Sequence, residues 1–310
     1  MDPDQPPQLD SRGLLIAVSA YLLWGAFPLY FALLKAAQPL EIVAHRVAWT
    51  FVFCLVGIAV LRGWAHLRAV FANRRLLTAL VGAGALVTLN WLIYVWAVLN
   101  DHVVDAALGY FVNPLATVTL AVLVLREKLR PAQKVALAVG AVAVVVIAVG
   151  NGQVPWVALL LALTFSLYSL AKNRVGGHVT PMVGLATETA LLTPIAVAYL
   201  AWLQSIGVGT LVSHGGGHTL ALVSTGAVTA IPLLLFAAAA GRIPLSMLGL
   251  IQYLTPVIQF AIGVWINHEV MQPARWIGFG LVWVALVVLT ADSLRAARPA
   301  TPAAAPEVIG

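Results

Sequence analysis

Long apolar runs separated by short polar ones divide this chain. Residues 13–34, 76–99, 152–171, 219–241 and 243–267 carry no Asp, Glu, Lys or Arg. Four further runs hold one charge near an end: 42–61 (Arg46), 103–125 (Asp105), 131–150 (Lys134) and 179–206 (Glu188). A tenth, 273–294, has Arg275 near its start and Asp292 near its end. A helix needs about 20 apolar residues to cross a bilayer, so the pattern predicts ten spans. The runs are apolar all round, whereas barrel strands alternate over about ten residues. Lipid leaves no partner for an unpaired backbone group, so the spans are expected to be helices.

The repeat of sparse residues adds an architecture. Shifted by 142 positions, Pro39 meets Pro181, Gly84 meets Gly226, Pro114 meets Pro256, Glu127 meets Glu269 and Pro131 meets Pro273, with no gap. Ala and Leu matches mean nothing in such a chain, but ordered Pro, Gly and Glu matches do. Each half would hold five spans. Five is odd, so the halves would enter the membrane from opposite sides, as in the inverted repeats of many secondary transporters. The fold class expected is an all-α membrane protein of ten transmembrane helices in two five-helix inverted-topology repeats, 12–150 and 151–296. Residues 1–11 and 297–310 are expected to be disordered tails. The acidic start of the chain is unlike a cleaved signal peptide, which would be basic. Pro28, Pro114, Pro194, Pro232 and Pro256 fall inside spans and are expected to kink or interrupt them, with Pro114 and Pro256 marking a cavity.

Composition supports this class. Hydrophobic residues make up 62% of the 310 and charged residues only 9%, against about 25% in soluble chains. That excludes an ordinary soluble enzyme, a disordered chain and a nucleic-acid binder, despite a net charge of +6. The basic residues report topology instead. With the N-terminus inside, fourteen Lys and Arg fall on the inner side, two (Lys35 and Arg275) fall outside, and Arg46 lies within a span. By the positive-inside rule both termini should be cytoplasmic. The single cysteine, Cys54, excludes an intrachain disulfide framework and reads as inert core.

Catalytic signatures are absent. His268-Glu269 begins like a zinc-protease helix, but position 272 is Gln. Gly215-Gly216-Gly217 lacks the Lys and Ser/Thr of a phosphate loop. No cofactor or metal is expected, and no enzyme activity.

Charge inside a membrane is costly and usually functional. Glu41, His45 and Arg46 lie on the second span, with Glu41 and His45 four apart on one face. Asp105 opens the fourth span and Glu188 lies on the seventh. The repeat sets Arg46 against Glu188. Each is about seven residues into its helix, so about 10 Å deep from opposite faces. In a core about 30 Å thick they would lie about 10 Å apart along the normal. That disfavours a direct pair and favours two ends of one cavity. Alternatives for Arg46 are snorkelling, or pairing with Glu41 or Asp105. Arg46 and His45 are substrate-binding candidates, and Glu188, Glu41 and Asp105 are proton-coupling candidates. Aromatic and amide side chains could line the same cavity: Trp24, Asn90, Trp91, Tyr94, Tyr110, Asn113, Tyr168, Gln252, Tyr253 and Gln259. Amides in spans can equally glue helices together. Glu127 and Glu269 each precede a Pro by four residues and read as caps for the next helix start.

Five segments carry a resemblance. They are Ala20-Tyr-Leu-Leu-Trp-Gly25, Phe27-Pro-Leu-Tyr30, Glu41-Ile-Val-Ala-His-Arg46, Leu108-Gly-Tyr-Phe-Val-Asn-Pro-Leu115 and Leu248-Gly-Leu-Ile-Gln-Tyr253. Together with the five-plus-five repeat they resemble the RarD group of EamA-type permeases in the drug/metabolite transporter superfamily. That group is described as chloramphenicol-sensitivity permeases. The resemblance covers residues 12–295; the Glu-x-x-x-His-Arg and Gly-Tyr-Phe-x-Asn-Pro motifs are specific to the group. It implies a bacterial inner-membrane carrier without an ATP motor, exporting small metabolites or drugs by alternating access. Members of the wider superfamily move amino acids, nucleotide sugars and drugs. The partners expected are a small-molecule substrate and the lipid bilayer, with no nucleic acid; a homodimer is open. A passive channel or a non-transporting membrane scaffold is the alternative.

Overall fold

In a computed structural model the described residues are 10–126, 128–175 and 179–296. Fourteen α-helices follow in order: α1 (Ser11–Gly25), α2 (Phe27–Ala32), α3 (Pro39–Val60), α4 (Trp64–Ala72), α5 (Arg74–Leu99), α6 (Val103–Leu125), α7 (Pro131–Asn151), α8 (Trp156–Val175), α9 (Pro181–Ala190), α10 (Thr193–Ser205), α11 (Gly215–Ala240), α12 (Leu245–Ile251), α13 (Leu254–Ala261) and α14 (Pro273–Ala296). A π-helical turn, Ile262–Ile266, continues α13. There is no strand among the described residues.

Among the described residues, nine helical stretches are long and apolar enough to cross a membrane. The bent pair α9–α10, turned by 52°, makes a tenth if counted as one span. The outward faces are apolar, with Val149, Val270, Val60 and Leu123 all more than two-thirds exposed. Water would not leave so much apolar surface bare. Lipid does. Of the expected tails 1–11 and 297–310, residues 1–9 and 297–310 lie outside the described residues, as does the cap candidate Glu127; Asp10 and Ser11 belong instead to the start of α1, where Asp10 accepts from the Arg12 N–H.

Helix starts follow from local chemistry. Proline opens α3, α7 and α9, where its missing N–H costs nothing and its φ is already helical. Asn73 caps α5 by accepting from the Leu76 N–H. The prolines inside the predicted spans act in two ways. Pro28 and Pro194 stand in the first turns of α2 and α10, just past the breaks that separate them from α1 and α9. Pro256 sits in the first turn of α13, after the break at Gln252–Tyr253. Pro114 and Pro232 lie within unbroken helices.

Helix packing follows a pattern. α5 and α6 flank α8, and α11 and α13 flank α1. α7 lies along α14, and α3 packs on α9, α10 and α11. Two glycines allow close approaches to the backbone of a neighbouring helix. A Cβ on Gly84 would collide with the Glu188 carbonyl oxygen, and one on Gly226 with the Trp49 carbonyl oxygen.

Candidate functional site

A cavity of about 920 Å³ lies within the bundle, large enough for a small organic molecule. Its lining includes Arg46, Trp24, Asn90, Trp91, Tyr94, Tyr110 and Asn113 from the first half of the chain. From the second half come Tyr168, Glu188, Gln252, Tyr253 and Gln259. The matched prolines Pro114 and Pro256 line it as well. At one end the wall includes Gln133, Asn173, Pro181 and Ser293, where α7 and α9 begin and α8 and α14 finish.

Arg46 is 4% exposed and points into this space. Its Nε donates to Thr229 Oγ1 at 2.8 Å. Three rings surround the guanidinium carbon, with centroids at 4.1 Å (Trp91), 5.4 Å (Phe27) and 5.4 Å (Phe31). Nη1 is buried without a hydrogen-bond partner. Among the described residues no carboxylate pairs with it. Neither snorkelling nor pairing with Glu41 or Asp105 is what Arg46 does here.

Glu188 is 1% exposed. Lys172 Nζ donates to its Oε1 at 2.6 Å, and Tyr168 OH to its Oε2 at 3.3 Å. Arg46 and Glu188 therefore do not pair with each other, and both line the one cavity. Sequence reading passes over Lys172, which follows the last residue of an apolar run and reads as a loop charge. It also passes over Thr229 and the two Phe rings, because a Thr or Phe in an apolar span carries no signal.

Three candidate residues lie away from the cavity. His45 is buried with neither ring nitrogen hydrogen-bonded, because successive side chains on a helix diverge by about 100° and Arg46 takes the inward direction. Glu41 Oε1 accepts from Thr210 N at 2.6 Å and from Thr210 Oγ1 at 3.0 Å. Asp105 is held by His102 Nδ1 at 2.8 Å and Arg275 Nη2 at 3.4 Å. Glu41 and Asp105 thus tie helix ends on the side remote from Gln133 and Ser293. Glu269 joins them there. It caps not the next helix but α6, accepting from Val103 N at 2.6 Å and Val104 N at 3.0 Å. Burial holds its pKa above the usual carboxylate value, and those two N–H groups offset only part of the rise. The amides do both things expected of amides. Asn90 donates to Leu161 O and Thr164 Oγ1, and Gln259 to Trp24 O, while both line the cavity.

Comparison with known proteins adds the following. The EamA-like transporter family matches residues 11–149. Protein RarD of Streptomyces exfoliatus is 47% identical over 300 residues, covering 96% of this chain and 95% of that one. The uncharacterized transporter YojE of Bacillus subtilis is 38% identical over 288 residues, covering 92% and 95%. A solved crystal structure, 22% identical, superposes with a TM-score of 0.57 over 93% of this chain and 99% of its own; that likeness speaks for the fold alone.

Proposed function

From membership of the RarD group of EamA-type permeases, to which this chain belongs, we propose that this multi-span membrane transporter is an alternating-access secondary carrier. Its substrate would be a small amphipathic anion or amino-acid-like metabolite or drug, exported across the bacterial inner membrane. One observation carries this reading: a buried guanidinium, ringed by aromatic faces and unmatched by any described carboxylate, on the wall of a 920 Å³ cavity. Removing an ion from water costs several kcal/mol unless a partner compensates. An anionic group of the substrate supplies that partner at Arg46, and Trp91, Phe27 and Tyr94 bind its apolar body. Glu188 is the group that takes up or releases a proton in the cycle.

The inverted repeat gains support from contacts. Gln259 donates to Trp24 O, and 142 residues earlier Thr117 Oγ1 bonds Ser166 Oγ; each pair is the other with its halves exchanged. The pairing of α5 and α6 around α8 is likewise that of α11 and α13 around α1. With fourteen basic residues on the proposed inner side and two on the outer, the end of the cavity walled by Gln133, Asn173, Pro181 and Ser293 faces the cytoplasm. The remote end is tied by the Glu41, Asp105 and Glu269 contacts, as an inward-open state requires.

Counterflow in proteoliposomes tests the reading. Vesicles are loaded in turn with amino acids, aromatic metabolites and chloramphenicol. Saturable counterflow of at least one, lost in Arg46→Ala, is the expected result. Flux that rises linearly without counterflow would mean a channel. Counterflow indifferent to Arg46→Ala would remove the anion site.

A further inference from the structure

Lys172 is the second cation on the cavity wall, and its side chain is 33% exposed while its partner Glu188 is 1% exposed. Its ammonium rests against Gly184, one turn before Glu188. A Cβ there would lie 3.2 Å from Nζ and 3.9 Å from Glu188 Oε1, so the glycine makes the seat. Resting on the anion reading above, we infer that Lys172 is a second anion-binding residue of the cavity, masked by Glu188 and unmasked when Glu188 takes a proton.

The charge count gives the reason. Arg46, Lys172 and Glu188 leave the cavity one net positive charge. A proton from cavity water on Glu188 neutralises the carboxylate, and the ammonium keeps its own proton. Lys172 then has no counter-ion and the cavity carries two positive charges. The ligand class that fits is an aromatic or apolar body with an anionic group at each end, one for Arg46 and one for Lys172. Proton and dianion then bind together, and each strengthens the other by the same factor.

Other ionisable groups do not compete for this role. Tyr168 on α8 donates to Glu188, and Cys54 on α3 is buried nearby. The remaining ionisable groups of α3 are Arg46, engaged with Thr229, and Glu41 and His45, off the cavity. On α5, Gly84 meets Glu188 with no side chain. His66 and Arg68 on α4, and Arg74 and Arg75 on α5, stand at exposed positions. α5 also carries Tyr94 on the cavity wall, α10 carries Tyr199, and α11 carries only His218, at its outer end.

The experiment measures binding of radiolabelled benzoate and terephthalate to the purified full chain. Benzoate has one carboxylate; terephthalate has two, at opposite ends of a ring, and both stay ionised above about pH 6. Wild type should bind terephthalate more tightly as pH falls from about 8 to about 6, by up to about tenfold per unit. Glu188→Gln should bind it tightly at both values, with no slope. Lys172→Met should bind it no better than benzoate, and Lys172→Arg should restore the preference and the slope. At about pH 8, where Glu188 masks Lys172, benzoate should depend on Arg46, and its gain on going to about pH 6 should be smaller than that of terephthalate. Benzoate binding that ignores Arg46→Ala sinks the anion reading itself. Benzoate that obeys Arg46, beside terephthalate that ignores pH or Lys172→Met, sinks the Lys172 inference alone. So does any failure of terephthalate to bind Glu188→Gln, where both cations are unmasked.

Discussion

On one part of the cavity wall a guanidinium sits among three aromatic rings, without a carboxylate among the described residues. On another, 142 residues later in the chain, a carboxylate is held by an ammonium at 2.6 Å. The two positions correspond, yet they hold opposite charges and meet them oppositely. Glu188 is neutralised from within the protein. Arg46 is not, and cation–π contacts return only about 0.5–2 kcal/mol each, less than its desolvation costs. An ammonium beside a carboxylate favours its charged form, so Glu188 takes a proton only by giving up that pair; a charge left unsatisfied is available to a ligand. Breaking this contrast at Arg46 should give the largest effect. A charge-assisted hydrogen bond is worth about 1.5–3 kcal/mol, so Arg46→Ala should raise KM for counterflow by about 10- to 150-fold. Arg46→Lys should recover only part of it, because an ammonium lacks the planar fork. Glu188→Gln should instead keep counterflow and flatten its pH dependence. If the two variants behave alike, the contrast is wrong.

The matched glycines test whether the two places are built alike. Gly84 lets α5 reach the Glu188 carbonyl, and Gly226 lets α11 reach that of Trp49. Both contacts are with backbone, which cannot swing aside. Overpacking costs about 1–3 kcal/mol where side chains can adjust, so Gly84→Val and Gly226→Val should each cost at least that. Thermal unfolding in detergent measures it. Gly82 is the control, because a Cβ there would meet nothing within 4 Å, and Gly82→Val should leave the midpoint unchanged. A large loss at one matched glycine and none at the other would undo the equivalence.

Much of this was legible in the sequence, and the reason is scarcity. A charge, amide or Pro inside an apolar run must be bonded or used, so Arg46, Glu188, Asn90 and Pro114 stand out. The span pattern was legible for the same reason. Where polarity is ordinary the signal fades. α4 hides in the polar stretch after the second span. The breaks at Ala26 and Leu191–Leu192 are marked only by a Pro two residues on. Glu41 and Asp105 look like cavity charges because depth says nothing of direction around a helix. Lys172 escapes notice because it stands where a span ends, and only the fold turns it back onto Glu188.

Trp91 sharpens the ligand end next. Its ring is nearest the guanidinium, and it also forms cavity wall. Trp91→Leu keeps an apolar wall but removes the ring face. With about 0.5–2 kcal/mol at stake, KM should rise by about 2- to 30-fold while maximal flux is kept. A change in flux without a change in KM would mean that Trp91 shapes the helix motion instead.

Asn90 offers the smallest effect and the finest distinction. Its Nδ2 ties α5 to α8 through Leu161 O at 3.1 Å and Thr164 Oγ1 at 2.9 Å. At the corresponding place on α11 stands Pro232, which has no side-chain donor to tie that helix to α1. The α5–α8 seam therefore has a polar fastening that the α11–α1 seam lacks at this level. Hydrogen bonds between membrane helices average about 0.6 kcal/mol, so Asn90→Leu should lower the unfolding midpoint by about 1–2 °C. KM should stay within about twofold, since the amide's donors are already spent on α8. A rise in KM beyond about tenfold with an unchanged midpoint would reverse the assignment. The amide would then contact the substrate rather than fasten the helices, and the ligand end would extend from Arg46 to α8.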